Sequence, residues 1–289
     1  MTAIYKREVK SLFYSLNAYV FISIYLILFG IYFRYYNLTS DMGAPSVGYP
    51  LFYCYWAFIL FALLSMKALP EERKEKTDQL LYTAPVSVTS IVLGKYFAMI
   101  TVWLVNIAVI ATCPPVIKHF GNCNYKVDYS MIAVYFLLGC AYIAVCMFIS
   151  SLTESQLIAA VISILVVFAN IFAGVISGSF TTSAYVSLIF LIVMCAVFGL
   201  VAWVLSANYI VGFASGIVLS LVTIILYIVK KSAFEGLVIK ILNTISLNQY
   251  LSPFVFSETF DIKAVVLYLS VIVLFIFFTV QSLQKRRYS

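Results

Sequence analysis

Few residues of this chain have the type and spacing that chemistry requires. A phosphate-binding loop follows Gly-x-x-x-x-Gly-Lys-Ser/Thr, whose backbone amides and lysine hold the phosphates. Gly94-Lys95 lacks both the earlier glycine and a following Ser or Thr. We therefore do not expect this chain to hydrolyse ATP by itself. His119 is the single histidine, which excludes a His-Glu-x-x-His zinc site.

Two glycine-serine motifs also fail to match a catalytic pattern. Residues 174–178 and 212–216 read Gly-x-x-Ser-Gly, whereas the nucleophile elbow of serine hydrolases reads Gly-x-Ser-x-Gly. We predict no catalytic, metal-binding or cofactor-binding residue in this chain. A membrane-embedded enzyme is the weakest of the functional alternatives considered below.

The densest charge lies in the stretch from Pro70 to Lys76, which reads Pro-Glu-Glu-Arg-Lys-Glu-Lys. A proline suits the first helical position, and acidic residues in the first turn complement the positive end of the helix dipole. Opposite charges three and four residues apart stabilise a helix. We predict a charged helix over 70–82, followed by a break at Pro85. It could transmit force from a partner, or it could be a solvated hairpin that only enforces topology.

The rest of the chain is too apolar for a water-soluble protein. Hydrophobic residues make up 64% of the 289 residues and charged residues 10%, and the mean hydropathy is +1.07. A soluble domain has roughly 45–50% apolar and about 25% charged residues. The net charge of +7 comes from cations at the ends of apolar runs, which indicates membrane orientation rather than nucleic-acid binding. The sequence predicts an all-α polytopic membrane protein.

The number of crossings follows from the length of the apolar runs. About 20 apolar residues span the hydrocarbon core. Between Tyr129 and Val229 the only Asp, Glu, Lys or Arg is Glu154, and we place it in an intracellular turn because an acid at a helix centre costs about 2.5–3.5 kcal/mol. We predict eight transmembrane helices, over residues 18–36, 49–69, 90–116, 130–151, 157–176, 183–205, 209–229 and 264–283.

Basic residues set the predicted orientation, because cytoplasmic ends carry an excess of Lys and Arg. With an even number of crossings, both termini lie on the cytoplasmic side of the membrane. We expect this membrane to be the plasma membrane of a bacterium. Lys230 and Lys231 fall outside in this arrangement, so the orientation of the pair 183–229 stays open. Eleven of the 18 basic residues then lie inside: Lys6, Arg7, Lys10, Lys67, Arg73, Lys74, Lys76, Lys95, Lys285, Arg286 and Arg287.

Two further segments are amphipathic but too short to cross. Residues 1–17 place apolar side chains on one helical face and Lys6, Arg7 and Lys10 on the other, which predicts an elbow helix along the inner membrane surface. Residues 233–247 repeat apolar positions at helical spacing and predict a second such helix at the outer surface.

The six cysteines indicate no redox site. Four of them lie inside apolar runs, where a thiol behaves as a small hydrophobic group. Cys113 and Cys123 approach the predicted outer face, and whether they form a disulfide is open.

Several motifs in a fixed order resemble permease subunits of ABC transporters of the ABC-2 type, and most closely the gliding-motility-type branch. Residues 71–74 are acidic-acidic-basic-basic; 77–81 read Thr-x-x-Leu-Leu, 83–87 Thr-Ala-Pro-Val-Ser and 91–96 Ile-Val-Leu-Gly-Lys-Tyr. The opening Ala-Ile-Tyr-Lys-Arg-Glu-Val-Lys-Ser of 3–11, Ala-Tyr-Val-Phe of 18–21, Leu-Thr-Glu-Ser-Gln of 152–156 and the segment 251–287 also match.

The chain departs from this family in two places. The family often has Gly-Thr-x-Glu in the connector, where residues 76–79 read Lys-Thr-Asp-Gln. The family core has six crossings, so residues 183–229 resemble an inserted hairpin. The resemblance covers most of residues 1–178 and 245–289.

The resemblance implies a mechanism and a set of partners. Two permeases, identical or homologous, pair in the membrane, and two ATPase subunits that bind ATP and Mg attach below. The connector helix would couple ATPase closure to the membrane helices, a rigid-body transition. The residues expected at the ATPase contact are Glu71, Glu72, Arg73, Lys74, Glu75 and Lys76, with Lys6, Arg7 and Lys10 of the elbow nearby.

Two functions of different classes therefore follow from the sequence. The first is the transmembrane subunit of an ATP-driven exporter, whose cargo the sequence does not identify. The second is a membrane scaffold or mechanotransmitting subunit that acts on an outer-face accessory protein without moving cargo. ATP-dependent loss of cargo from reconstituted vesicles distinguishes them. Membrane lipids are expected partners of either, and nucleic acid of neither.

Overall fold

A computed structural model describes residues 2–39, 46–75, 87–120, 123–177, 183–192, 194–195, 209–230, 234–257 and 259–288. Within these ranges the chain is helical and has no strand. The α-helices are α1 (Thr2–Tyr14), α2 (Leu16–Phe33), α3 (Gly48–Tyr53), α4 (Phe61–Ser65), α5 (Pro70–Lys74), α6 (Val88–Ile110), α7 (Cys113–Phe120), α8 (Tyr125–Leu152), α9 (Gln156–Ser177), α10 (Tyr209–Val229), α11 (Leu237–Ile245), α12 (Ser252–Phe256) and α13 (Ile262–Tyr288).

Six helical stretches in the described ranges are long and apolar enough to cross a membrane. Each contains at least 22 residues, and the mean hydropathy of an 18-residue segment within each lies between 1.6 and 2.6. The chain is therefore a multi-pass, all-α membrane protein. The six stretches are Leu16–Leu38, Gly48–Lys74, Val88–His119, Tyr125–Leu152, Gln156–Ser177 and Ile262–Arg286.

The chain forms two compact units. The first contains Met1–Ile171 and Leu247–Ser289, and the second contains Phe172–Ser246. In the second unit, residues 184–192 and α10 are helical, and the ring of Tyr227 meets the edge of Phe234 at 5.4 Å between centroids. The predicted crossing 183–205 lies partly outside the described residues. The connector residues 76–86 lie wholly outside them.

Within the first unit, successive spans run in alternating directions, because their ends meet in two groups. At one end, Ser150 Oγ on α8 donates to Ser65 O at 2.9 Å, and Arg286 on α13 pairs with Glu154. At the other end, Asn37 Nδ2 donates to Ser46 O at 3.1 Å. We call these the charged end and the opposite end.

Two predicted crossings change helix type within a single apolar span. The α-helix of the crossing predicted over 90–116 ends at Ile110, and a new helix begins at Cys113, because Pro114 and Pro115 lack the N–H groups that would bond to the carbonyls of Ile110 and Ala111. The crossing predicted over 49–69 is not one α-helix but narrows to a 3-10 helix over Cys54–Leu60.

The connector and the outer amphipathic helix also differ from the predicted bounds. α5 ends at Lys74 with Glu75 in a turn, and residues 76–82 of the helix predicted over 70–82 lie outside the described residues. The outer helix spans Leu237–Ile245 rather than 233–247. Gly236 at its start has φ of +66°, a left-handed conformation that an α-helix cannot include.

The core of the first unit is a cluster of aromatic rings around Trp103 on α6. The rings of Tyr25 and Phe61 meet Trp103 edge-on, with centroids 4.9 and 5.1 Å away. Trp103 Nε1 donates to Phe136 O on α8 at 3.2 Å. Edge-to-face contacts of this kind contribute about 0.5–1.5 kcal/mol each.

Replacement of Gly139 on α8 by Ala is expected to reduce the free energy of unfolding by at least about 1 kcal/mol. A Cβ at this position would lie 2.5 Å from Cε2 of the fully buried Trp103 ring. Gly30→Ala on α2 is the control, because a Cβ there meets nothing within 4 Å and alanine favours a helix. Unfolding in a denaturing detergent measures both variants, and equal stability of the two would contradict this packing.

Candidate functional site

The predicted connector residues differ widely in exposure. Arg73 is buried, Glu72 is half-buried, and Lys74 and Glu75 are exposed. Glu71 is also half-buried, while Lys76 lies outside the described residues. The prediction treated the whole segment as one docking surface. The structure divides it into residues that face other helices and residues that face outward.

Glu72 belongs to a four-residue ion-pair cluster that joins α1, α5 and α6. One carboxylate oxygen of Glu72, Oε1, lies 2.8 Å from Arg7 Nη2 and 2.9 Å from Lys95 Nζ. Glu8 contacts the same two cations, at 2.6 Å from Arg7 and 3.3 Å from Lys95. The two positive and two negative charges balance within this ion-pair cluster.

Lys95 is the most buried member of the ion-pair cluster. Its side chain is 2% exposed, against 15% for Glu8 and 20% for Glu72. A buried charge is stable only when it is paired and hydrogen-bonded. The hydrogen bonds that Arg7 donates to Glu8, together with the charges of both carboxylates, outweigh partial burial and raise the pKa of Arg7. The cluster therefore fixes α5 to α1 and α6.

Arg73 makes a second connection, from α5 to the turn between α8 and α9. Its Nη1 donates to Thr153 O at 2.8 Å. We predicted that Arg73 contacts a partner protein. This prediction is corrected, because the Arg73 side chain is buried and points into the protein. α5 is thus held on two sides, by α1 and α6 through Glu72 and by the α8–α9 turn through Arg73.

Glu154 lies in the same turn, between Leu152 and Gln156. Its carboxylate pairs with Arg286 at 3.1 Å, and both side chains are exposed. Exposed pairs of this kind contribute at most about 1 kcal/mol. The pair brings the end of α13 to the charged end of the first unit.

The amphipathic helix α1 packs on α6 rather than leaving its apolar face open. Ile4 Cγ2 lies 3.0 Å from the position that a Cβ of Gly94 would occupy, so any larger residue there would push the Ile4 side chain away by a few tenths of an ångström. Tyr5 hydroxyl and Thr101 Oγ1 share a hydrogen bond of 2.8 Å. We predicted that this apolar face would rest on the membrane surface. Its side chains are instead half-buried against protein.

Sequence reasoning missed Glu8 and Lys95 as site residues. The available signal was the position of Lys95, which is the only charged residue between Val88 and Ile110. A lone lysine in an apolar helix requires a partner of opposite charge. Nothing in the spacing identified that partner as Glu8 and Glu72, because α1, α5 and α6 are distant in sequence.

A second polar group lies at the opposite end and was also missed. The carboxylate of Asp128 on α8 is 1% exposed and accepts hydrogen bonds from Ser46 Oγ at 2.7 Å and Val47 N at 3.1 Å. Cys123 Sγ donates to its second oxygen at 2.7 Å. Cys113 and Cys123 are both free thiols, and this hydrogen bond occupies Cys123.

We expect Cys123 to react slowly with a maleimide at pH 8. Burial, followed by its hydrogen bond to Asp128, raises the pKa of this thiol to about 12. The thiolate is the reactive form, so the rate is expected to rise with each pH unit up to about pH 12. Asp128→Asn removes the negative charge and should lower the pKa of Cys123 and increase the rate at pH 8. Mass spectrometry of labelled peptides measures it, and rapid labelling of the unsubstituted protein at pH 8 would contradict this environment.

Amide side chains within the spans connect helices. Asn170 Oδ1 on α9 accepts from the Tyr142 hydroxyl at 2.7 Å and from Leu247 N at 3.1 Å. Tyr268 hydroxyl on α13 donates to Leu247 O at 2.9 Å. Such bonds contribute about 0.6 kcal/mol each. This network secures the segment Leu247–Phe256 against α8 and α9.

The charged end is therefore the strongest candidate for a functional site. It joins a short charged helix to α1, α6 and the α8–α9 turn and leaves two opposite charges, Lys74 and Glu75, exposed at its tip. This arrangement can bind a charged partner and can transmit a displacement. A comparison with protein-family models and a comparison with curated proteins find no match to this chain.

Proposed function

We propose that this chain is the transmembrane permease subunit of an ATP-driven exporter of the ABC-2 type, with α5 as its coupling helix. The single observation that carries the proposal is the attachment of α5. It is bonded to α1, α6 and the α8–α9 turn, while Lys74 and Glu75 at its tip remain exposed. A partner that moves the tip would therefore move these helices.

The proposed movement has two routes into the membrane helices. Glu72 would displace α1 and α6 through the ion-pair cluster, and Arg73 would displace the turn at Thr153. The second span also contains the 3-10 segment Cys54–Leu60, and 3-10 stretches within helices often mark hinges. Bending there would let the charged end move relative to the opposite end.

The partners in this proposal are those that the family resemblance implies. Two ATPase subunits bind ATP and Mg and dock on the exposed tip of α5, and a second permease, identical or homologous, completes the transporter. The chain itself holds no cofactor and is not an enzyme. α10 and the segment containing residues 184–192 would add two crossings to the six, giving eight helices.

The proposed orientation places the charged end in the cytoplasm of a bacterial cell. α1, α5 and the end of α13 carry eight of the 16 basic residues in the described ranges, in agreement with the positive-inside bias. Both termini then lie in the cytoplasm. α1 serves as the elbow helix that leads into the first span, although its apolar face packs on α6.

A charge reversal at the exposed tip of α5 tests the proposal. We expect Lys74→Glu to reduce ATP-dependent transport by the purified complex by about tenfold, equal to about 1.4 kcal/mol of lost interaction with the ATPase. Because Lys74 is exposed and makes no ion pair with any described residue, thermal unfolding of the permease should not change.

Lys126→Glu is the matched control, because it makes the same charge change at an exposed position of the opposite end. We expect this variant to transport normally. An equal loss in both variants, or no loss in Lys74→Glu, would reject α5 as the coupling helix.

A further inference from the structure

We propose that the exposed face of α1 binds the phosphate of an anionic phospholipid headgroup between Lys6 and Lys10. This binding site depends on the membrane placement of α2 and α6 and does not depend on the transport function. Three features of the charged end support it: uncompensated charge, depth in the membrane and the side chains that border the two lysines.

The charges on α1 are divided between its two faces. Arg7 and Glu8 belong to the ion-pair cluster, whose charges cancel. Lys6 and Lys10 are exposed and form no ion pair with a described residue. They lie four residues apart, where like charges destabilise a helix by a few tenths of a kcal/mol. A bound anion between them would relieve this repulsion.

The packing of α1 places these lysines at the depth of the headgroups. Ile4 and Tyr5 lie against Gly94, near the beginning of α6. The Tyr5 hydroxyl reaches Thr101, about two turns further into the apolar part of α6. The first span begins at Leu16, directly after α1. α1 therefore lies where two spans enter the membrane, and its outward face meets the interface.

The side chains next to the lysines are those of a membrane interface. Lys10 Nζ lies over the ring of Tyr14, 5.6 Å from its centroid. Tyr14 is 80% exposed and Leu16 is 77% exposed, so a surface of aromatic and aliphatic groups continues from Lys10 toward the span. Tyrosine and lysine at such a boundary are typical of headgroup contact.

An acidic protein surface is the other anion that two lysines could bind. The depth of α1 favours the lipid, because a cytoplasmic protein would have to displace headgroups to reach Tyr14 and Leu16. The Lys74–Glu75 tip of α5, in contrast, carries both signs of charge and makes no such apolar boundary.

The test measures binding of phosphatidylglycerol to the purified full-length protein by native mass spectrometry, with phosphatidylcholine as the neutral lipid. We expect Lys6→Gln with Lys10→Gln to weaken phosphatidylglycerol binding by about 30-fold, which corresponds to about 1 kcal/mol per lysine. Lys6→Arg with Lys10→Arg should retain affinity within about threefold, because the charge is kept.

The control is Lys126→Gln with Lys263→Gln, which removes the same charge from exposed positions at the opposite end. The control should keep the tightest phosphatidylglycerol site. Equal weakening in the control and the α1 variant, or equal affinity for phosphatidylcholine, would overturn the proposal. Displacement of the lipid by an equal concentration of inorganic phosphate would also overturn it, since the site would then bind free phosphate.

Discussion

Replacement of Lys95 by Met is expected to lower the free energy of unfolding by about 3 kcal/mol, the lower end of the cost of breaking a buried ion pair. Methionine fills the space of the lysine stem but leaves Glu8 and Glu72 with Arg7 alone. Because Glu8 and Glu72 retain some exposure, we expect the loss of unfolding free energy to stay near this lower end. Unfolding in a denaturing detergent provides the measurement.

Two variants control the Lys95 prediction. Lys74→Met makes the same substitution at an exposed residue and should change stability by less than about 0.5 kcal/mol. Adding Glu72→Gln to Lys95→Met should restore part of the loss, because it removes one uncompensated carboxylate. If Lys95→Met is as stable as Lys74→Met, the ion-pair cluster does not hold α5.

Replacement of Arg73 by Leu is expected to cost about 2 to 3 kcal/mol of stability, since a hydrogen bond to a charged group contributes about 1.5–3 kcal/mol. Leucine keeps part of the buried apolar stem but cannot donate to Thr153 O, which Arg73 Nη1 contacts at 2.8 Å. Because this bond is the connection to the α8–α9 turn, we also expect ATP-dependent transport to fall more than thermal stability alone explains.

A conservative variant separates the two effects of Arg73. Arg73→Lys retains a cation that can donate to Thr153 O and should recover part of the lost transport. Glu154→Gln removes the neighbouring exposed ion pair with Arg286 and should leave stability within about 1 kcal/mol. Transport by Arg73→Leu at the level of the unsubstituted protein would show that this connection transmits nothing.

The fold class and six of the eight predicted spans were predictable because each depends on local composition. An apolar run of about 20 residues determines a crossing regardless of its neighbours, and Pro70 with two acidic residues determines the start of α5. Helix ends were less predictable. The prolines at 114–115 and the glycine at 236 are sequence signals for a helix boundary, but the end of α5 at Lys74 has no such marker.

The partners of the charged residues could not be predicted, because they come together through tertiary packing. Lys95 meets Glu8 and Glu72 only when α1 lies across Gly94. Arg73 and Lys74 are adjacent in sequence and equally charged, yet one is buried and the other exposed. The sequence pattern predicted a charged helix, whereas the direction of each side chain depends on the helices around it.

The proposed coupling requires α5 to contact an ATPase at the charged end, and photo-crosslinking detects this contact. A photoreactive amino acid is placed at Glu75 or, for comparison, at Lys126, both exposed and at opposite ends. Irradiation of intact cells should attach the Glu75 variant to a nucleotide-hydrolysing protein and leave the Lys126 variant without that product. No such product from Glu75, or the same product from Lys126, would show that α5 is not the contact with the ATPase.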